Sequence, residues 1–166
     1  LYYTKEPSQA FTPAYDATLP GCVPGIDVIP GRRQSDGGYY RWGNPIPLEF
    51  IISAFPLNPK GGLARAGTDV VSTKSFYYSD DSHSGLAKVD GTVIYLPLQQ
   101  VQMLCGMDSP FKRVSSIHVK FKPGIPISKG IERVSGLWKN YCAEQQGKPD
   151  SELLKNARVQ SWQVNR

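Results

Sequence analysis

Prolines and glycines occur along the whole chain and limit the length of the regular elements it can form. The 166 residues include 16 glycines and 14 prolines. Proline fixes φ and removes a backbone donor, and glycine weakens helices and strands alike. Such a composition favours short strands and many turns over long helices. Hydrophobic residues make up 40% of the chain, which is enough to build a core.

The first 36 residues differ from the rest of the chain. They are rich in Pro, Gly and Ser and show little periodicity, yet they include aromatic residues such as Phe11 and Tyr15. Aromatic side chains are usually at least partly buried, so we expect this segment to pack on the body of the protein. The length fits one domain over residues 1–166, with a lead-in at 1–36 and the core in 37–166.

Residues 39–52 predict the end of a strand, a turn and the start of a helix. Aromatic residues such as Tyr40 favour a pleated, half-buried surface. From Leu48 the apolar residues fall at helical spacing, and the helix should end before Pro56. Arg41 then stands at the end of the strand. Its guanidinium offers a planar fork of donors that matches a phosphate or a carboxylate.

The remaining segments predict several more strands and little helix. Alternating or β-branched patterns favour strands at residues 26–29, 68–78, 92–98, 116–122, 131–138 and 158–164. Residues 99–107 favour a short helix or an irregular connection, residues 123–126 a turn, and residues 151–156 a short helix. The sequence therefore predicts an α+β fold that is dominated by strands, with one or two short helices.

Charge and motifs exclude several classes of protein. The net charge of +5 and the pI near 9.1 allow an anionic partner such as a nucleotide or a nucleic acid, and they are equally ordinary for a secreted domain. No apolar run is long enough to span a membrane, so no membrane partner is expected. Walker loops, dinucleotide fingerprints, zinc-ligand spacings and the Gly-x-Ser-x-Gly motif are absent from the sequence, and no metal site is expected.

Three cysteines leave two alternatives open. Cys22 and Cys142 lie near the two ends of the chain, and a secreted protein would pair them and leave Cys105 free. The other alternative is three buried thiols. The cysteines are too few for a disulfide scaffold and do not cluster as zinc ligands do.

Three short blocks resemble the mono-ADP-ribosyltransferase fold of the cholera and pertussis toxin class. They are Tyr40-Arg41, Val71-Ser72-Thr73 and the turn Gly124-Ile125-Pro126, in that order. The resemblance covers about residues 39–138 and implies a two-sheet α+β core that takes NAD as its substrate. It also implies a secreted or injected effector protein whose partner is a host or target protein, with a nucleic acid less favoured.

The resemblance assigns roles to individual residues. It implies that Arg41 clamps a phosphate of NAD, that Ser72 ties two central strands together, and that Phe76 or Tyr77 stacks on the nicotinamide. The residues implied to bind NAD are Tyr40, Arg41, Thr73, Phe76 and Tyr77.

The position of the family's catalytic glutamate falls on His118. The implied catalytic set is therefore Arg41, Ser72 and His118. A neutral imidazole brings no negative charge to the developing cation, and losing such preorganised charge costs on the order of 2.7–4 kcal/mol. Weak or absent catalysis is expected. A non-catalytic, protein-binding effector of the same fold is the alternative.

Two other hypotheses follow from the residues alone. His83 and His118 are the only histidines, and together with Lys120 they would suit the acid, base and phosphate contact of a metal-independent ribonuclease. An all-β binding module such as a jelly roll would also explain the short strands and the basic surface. The plain alternative for each site residue is an ordinary surface or core position.

Overall fold

The computed structural model describes residues 6–40, 46–58, 62–64, 71–109, 112–148, 151–154 and 157–161. The chain divides into two compact units, unit 1 (Leu1–Val114) and unit 2 (Ser115–Arg166). Strands and helices are both present, so the predicted α+β class is confirmed. The single domain predicted over the whole chain stays a prediction.

Unit 1 contains a single four-stranded mixed sheet. Its strands are β1 (Gly21–Pro24), β2 (Glu49–Ala54), β3 (Ser72–Tyr78) and β4 (Ile94–Tyr95), in the spatial order β2-β3-β1-β4. β3 pairs antiparallel with β2, from Glu49 opposite Tyr77 to Ala54 opposite Ser72, and parallel with β1. β4 pairs antiparallel with β1 on the far side. The long β2–β3 ladder is the most regular part of the sheet.

The helix predicted from Leu48 is wrong, because this segment forms strand β2. Phe50, Ile52 and Ala54 pack against the buried core cluster, while Ile51 between them is 71% exposed. The residues therefore alternate with the period of two that a half-buried strand requires. Their apolar spacing fits a short helix as well, and pairing with β3 decides between the two.

The core of unit 1 includes buried side chains of β1 and β3. Cys22, Phe76 and Leu104 form its buried cluster, and Ile94 and Leu96 are among the partly buried side chains that pack against it. Leu104 belongs to helix α2 (Leu98–Leu104), so residues 99–107 follow the first of their two alternatives, the short helix. Helix α1 (Ala87–Thr92) precedes β4, and a 3₁₀ turn spans Pro7–Gln9.

Two predicted strands of unit 1 differ from the structure. The strand expected over residues 92–98 is reduced to β4, because the Pro97 carbonyl already accepts hydrogen bonds from the first turn of α2. The segment 26–29 forms turns, one of them closed by a 2.9 Å hydrogen bond from Val28 N to Gly25 O. The strand in this region is β1, which ends at Pro24, just before the predicted segment. All four of its residues are buried.

Unit 2 is helical in its described part. Helix α3 spans Ile127–Glu144 and helix α4 spans Ser151–Leu154. The strand predicted over residues 131–138 is wrong, because these residues lie inside α3. Ile131, Val134 and Trp138 are partly buried at spacings of three and four, which is the period of a helix face. The short helix expected at 151–156 is confirmed over its first four residues.

Residues 115–122 precede α3, and we call them the arm. The strand predicted within the arm does not form, since these residues have no paired strand among the described residues. The ring of Phe121 packs against Gly130 of α3, where an added Cβ would clash with Cε2 of the ring. The predicted turn at 123–126 is confirmed, with Gly124 at φ +87°. The strand predicted at 158–164 is absent from its described residues, 158–161.

All three cysteines are free thiols in the structure. The disulfide predicted between Cys22 and Cys142 is therefore absent. Cys22 lies in the core and burial raises the pKa of its thiol to about 12, so it remains protonated at neutral pH. Cys105 and Cys142 are partly exposed, which also differs from the alternative of three buried thiols.

No helix in the described ranges is long and apolar enough to cross a membrane.

Candidate functional site

The site residues implied by the ADP-ribosyltransferase resemblance differ in their location and in their exposure. Arg41 lies outside the described residues. Tyr40 is 54% exposed, and its backbone N–H donates to the Arg32 carbonyl. Ser72 and Thr73 begin β3, where the hydroxyl oxygens of Thr73 and Ser53 lie 2.9 Å apart. Thr73 thus links β3 to β2, and the role implied for Ser72 stays a prediction.

The remaining implied residues differ in their exposure. Phe76 is fully buried in the core cluster, which leaves Tyr77 as the partly exposed aromatic side chain of that pair. His118 is an exposed residue of the arm, and its Nε2 lies 3.3 Å from Ser116 Oγ. His118 belongs to unit 2, whereas Ser72 and the second histidine, His83, belong to unit 1.

The loop after β3 carries a polar network that involves His83. Asp90 accepts hydrogen bonds from the Ser84 backbone N–H (2.7 Å), the Ser84 hydroxyl (2.8 Å) and the Gly85 N–H (2.9 Å). These bonds, with the Ser84 N–H as the largest cause, lower the pKa of Asp90. His83 Nε2 lies 3.9 Å from Asp90 Oδ2, and the Tyr39 ring packs edge-on against the imidazole at 5.1 Å.

This network orders a loop and does not form a nucleophile–base pair. The Ser84 hydroxyl donates to Asp90, so no proton relay runs from it to His83. A nucleophilic serine needs its base within hydrogen-bond reach. The geometry therefore supports a structural role for Asp90, which ties residues 84–85 to α1.

Replacing Asp90 by asparagine is expected to lower the Tm by several degrees at pH 7. The pKa of Asp90 is lowered in the fold, so its charged form stabilises unit 1 above the unfolded pKa of about 3.9, and this stability is lost as pH falls through the folded pKa. The Tm difference from wild type should therefore shrink below about pH 4. Thermal unfolding followed by circular dichroism measures both values.

Asp108→Asn is the matched control, because Asp108 is exposed and makes no hydrogen bond or ion pair with a described residue. This variant should unfold as the wild type does at both pH values. If the Tm difference between Asp90→Asn and wild type grew on acidification, the structural role assigned to the Asp90 carboxylate would be contradicted.

A second polar cluster is fully buried in unit 1. Arg32 and Asp81 form an ion pair in which both side chains are 0% exposed. Burial raises the pKa of Asp81, and the Arg32 charge opposes that shift. Nearby, Ser79 Oγ lies 2.6 Å from the Ala10 carbonyl oxygen and 2.8 Å from that of Cys22. The cluster thus connects Ala10 and strand β1, which both belong to the lead-in, to the loop after β3.

Charge is distributed unequally between the two units. Residues 1–114 contain ten Lys/Arg and ten Asp/Glu, whereas residues 115–166 contain nine Lys/Arg and four Asp/Glu. The whole net charge of +5 therefore belongs to unit 2. Between residues 115 and 143 the sequence contains a single acidic residue, Glu132.

Four cations of unit 2 form what we call the basic surface. Its members are exposed and have no ion pair or side-chain hydrogen bond with any described residue: Lys120, Lys122, Lys129 and Arg133. Lys129 and Arg133 are four residues apart and share one face of α3. Lys120 and Lys122 flank Phe121, whose ring contacts Gly130 between those two helical cations. The Phe121 contact therefore holds the arm against α3 at the residue that follows Lys129.

The arm also exposes apolar side chains among its cations. Ile117 is 76% exposed and Val119 is 54% exposed. Among the described residues, no group of three or more His, Cys, Asp or Glu side chains is arranged to hold a metal ion. Exposed cations beside exposed apolar side chains suit the binding of an anion that also has apolar parts.

The sequence contained the signal for this surface, in the form of the alternation of Lys120 and Lys122 with apolar residues and the scarcity of acids after residue 114. The net charge of the whole chain does not show that the excess of cations lies in unit 2, because unit 1 is neutral.

Comparison with protein-family models, with curated proteins and with solved structures finds no match to this chain. The residues of this chain are therefore the basis for inferring its function.

Proposed function

We propose that the protein binds a nucleic acid through the basic surface of unit 2. The observation that carries this proposal is that the entire net charge of +5 belongs to unit 2, where the four cations of the basic surface are exposed and unpaired within the described ranges. Lys and Arg that neutralise phosphates release condensed counterions, which supplies most of non-specific nucleic-acid affinity. No catalytic step is assigned to this surface.

The surroundings of the cations favour a nucleic acid over other polyanions. An acidic protein or a sulfated polysaccharide needs only charge, whereas nucleic acids also present flat apolar bases. The arm alternates Lys120 and Lys122 with apolar residues such as Val119, and α3 carries Trp138 beside Tyr141, with ring centroids 5.7 Å apart and ring planes tilted by 31°. Cations interleaved with apolar and aromatic side chains are typical of surfaces that bind single strands.

The salt dependence of binding tests the proposal. The full chain is titrated into a labelled single-stranded oligonucleotide of about 12 nucleotides, and anisotropy is recorded at several salt concentrations. We expect a Kd of about 10⁻⁶–10⁻⁴ M near physiological salt, and a log–log slope near −3, since each phosphate contact on a single strand contributes about −0.7. Absence of binding at about 0.05 M salt, or affinity independent of salt, would refute the proposal.

NAD binding by unit 1 stays a prediction of the ADP-ribosyltransferase resemblance, together with the two-sheet core, the effector role and the secretion that the family implies. If the site exists, millimolar NAD should raise the Tm by mass action, and Arg41→Ala should remove the rise. The thermal shift of the full chain measures this. An unchanged Tm in the presence of NAD would remove the NAD hypothesis and leave the basic surface unaffected.

A further inference from the structure

Unit 2 contains a groove between the C-terminal half of α3 and α4. The chain turns at Gly147, whose φ of +82° lies in the left-handed region that favours glycine. One wall of the groove includes Trp138, Cys142 and Gln146, and the other includes Ser151, Leu154 and Ala157. Its volume is about 490 Å³, within the range of about 300–1,000 Å³ typical of small-molecule sites.

The lining of the groove combines an aromatic ring, a cation and neutral polar groups. Trp138 is partly exposed, and Tyr141 packs beside it at an angle of 31° between the rings. Lys139 lines the same groove, is exposed, and has no partner among the described residues. Gln146 and Ser151 supply amide and hydroxyl groups at the rim. Such a set suits a flat heterocycle that is attached to a phosphate.

We propose that this groove receives an unstacked base of the single-stranded nucleic acid whose backbone the basic surface binds. The base stacks on Trp138, while Lys139 contacts a neighbouring phosphate. The inference rests on the proposed function and deepens it, because it names the side chain on which a base of the strand stacks. A base within a duplex is not available for stacking on a side chain, so the groove confers a preference for single strands.

Charge complementarity supports this occupant. The groove and the basic surface share helix α3, with Lys129 and Arg133 towards its N-terminus and Trp138 and Lys139 in its C-terminal half. At about 100° per residue, Trp138 lies roughly 140–180° around α3 from Lys129 and Arg133, and Lys139 lies between these two faces. A strand bound at Lys129 therefore passes around the helix by way of Lys139 to bring a base to Trp138. An apolar ligand without charge would leave Lys139 without a partner in the groove.

Binding of two matched probes tests the inference. The full chain is titrated into an oligothymidylate of about 12 nucleotides and into an abasic oligonucleotide of the same length and charge. Wild type should bind the oligothymidylate about 5- to 150-fold more tightly, as expected for one stacked base. Trp138→Ala should remove this preference and keep the affinity for the abasic strand, and Trp138→Phe should restore part of it.

Leu137→Ala is the matched control, because Leu137 is the preceding residue of α3, is 62% exposed and does not line the groove. This variant should retain the full preference for bases. Equal affinity of wild type for the two probes would overturn the groove inference while the proposed function stands. Failure to bind either probe would overturn the proposed function and the inference together.

Discussion

The basic-surface variant, with glutamine at all four cationic positions, is expected to bind single-stranded nucleic acid about 10²–10³-fold more weakly than wild type at about 0.1 M salt. Glutamine keeps most of the side-chain length and removes the charge, so phosphate contacts are lost with little change in packing. Four contacts also account for about three units of the log–log salt slope, so the slope of the variant should fall to about −0.7, the share of the contact assigned to Lys139. Anisotropy titrations across salt concentrations measure both effects.

The control for this prediction uses cations of unit 1. Lys88 and Lys112 are exposed, and their side chains make no ion pair or hydrogen bond with a described residue. The pair Lys88→Gln and Lys112→Gln changes the net charge by the same amount as Lys120→Gln and Lys122→Gln. We expect the second pair to lose about ten-fold or more in affinity and the first pair to lose far less. Equal losses would mean that total charge, and not the surface of unit 2, determines binding.

The prediction of elements from sequence succeeded where residues close in sequence decide the outcome. The turn at 123–126 is present, and helix α2 covers most of residues 99–107, for which a short helix and an irregular connection were both open. The segment after Leu48 fits a helix and a strand equally well, since short apolar runs do not distinguish the two. Its register against β3, set by Ser72–Tyr78 some twenty residues later, selects the strand.

The sequence predicts a strand over residues 131–138, within helix α3, because several of these residues have a low helix propensity. Gly130 and Gly136 cost roughly 1 kcal/mol each relative to alanine, and β-branched Ile131 and Val134 add to a strand-like appearance. In the structure, the Phe121 ring approaches the helix backbone at Gly130, where a Cβ would clash with the ring. Tertiary packing of one face thus overrides the propensity of the segment.

The polar cluster of unit 1 lay beyond sequence reasoning for a different reason. Arg32 and Asp81 are 49 residues apart in the chain, and each stands in a run of polar residues, 32–36 and 79–84. Only the fold shows that both are fully buried and paired. The charge of unit 2 was countable from the sequence, but the boundary after Val114 that makes the count informative comes from the three-dimensional structure.

Asp81→Ala is expected to destabilise unit 1 by about 3–5 kcal/mol, the typical cost of removing one partner of a buried ion pair. The variant takes away the carboxylate that faces the Arg32 guanidinium, while both positions stay out of contact with water. Because ordinary domains are stable by only about 5–15 kcal/mol, this loss is a large fraction of the total. Urea unfolding of the full chain, followed by far-UV circular dichroism, measures the change.

The double variant Arg32→Met, Asp81→Leu tests the physical reason for that loss. Replacing both members of a buried ion pair by apolar residues of similar size is often neutral or stabilising, because the desolvation cost disappears with the charges. Burial raises the pKa of Asp81 even with Arg32 beside it, which indicates that desolvation outweighs the attraction at this carboxylate. We therefore expect the double variant to be more stable than Asp81→Ala. A double variant as unstable as the single one would show that hydrogen bonds of the pair, and not its charges, hold the lead-in and the loop after β3 together.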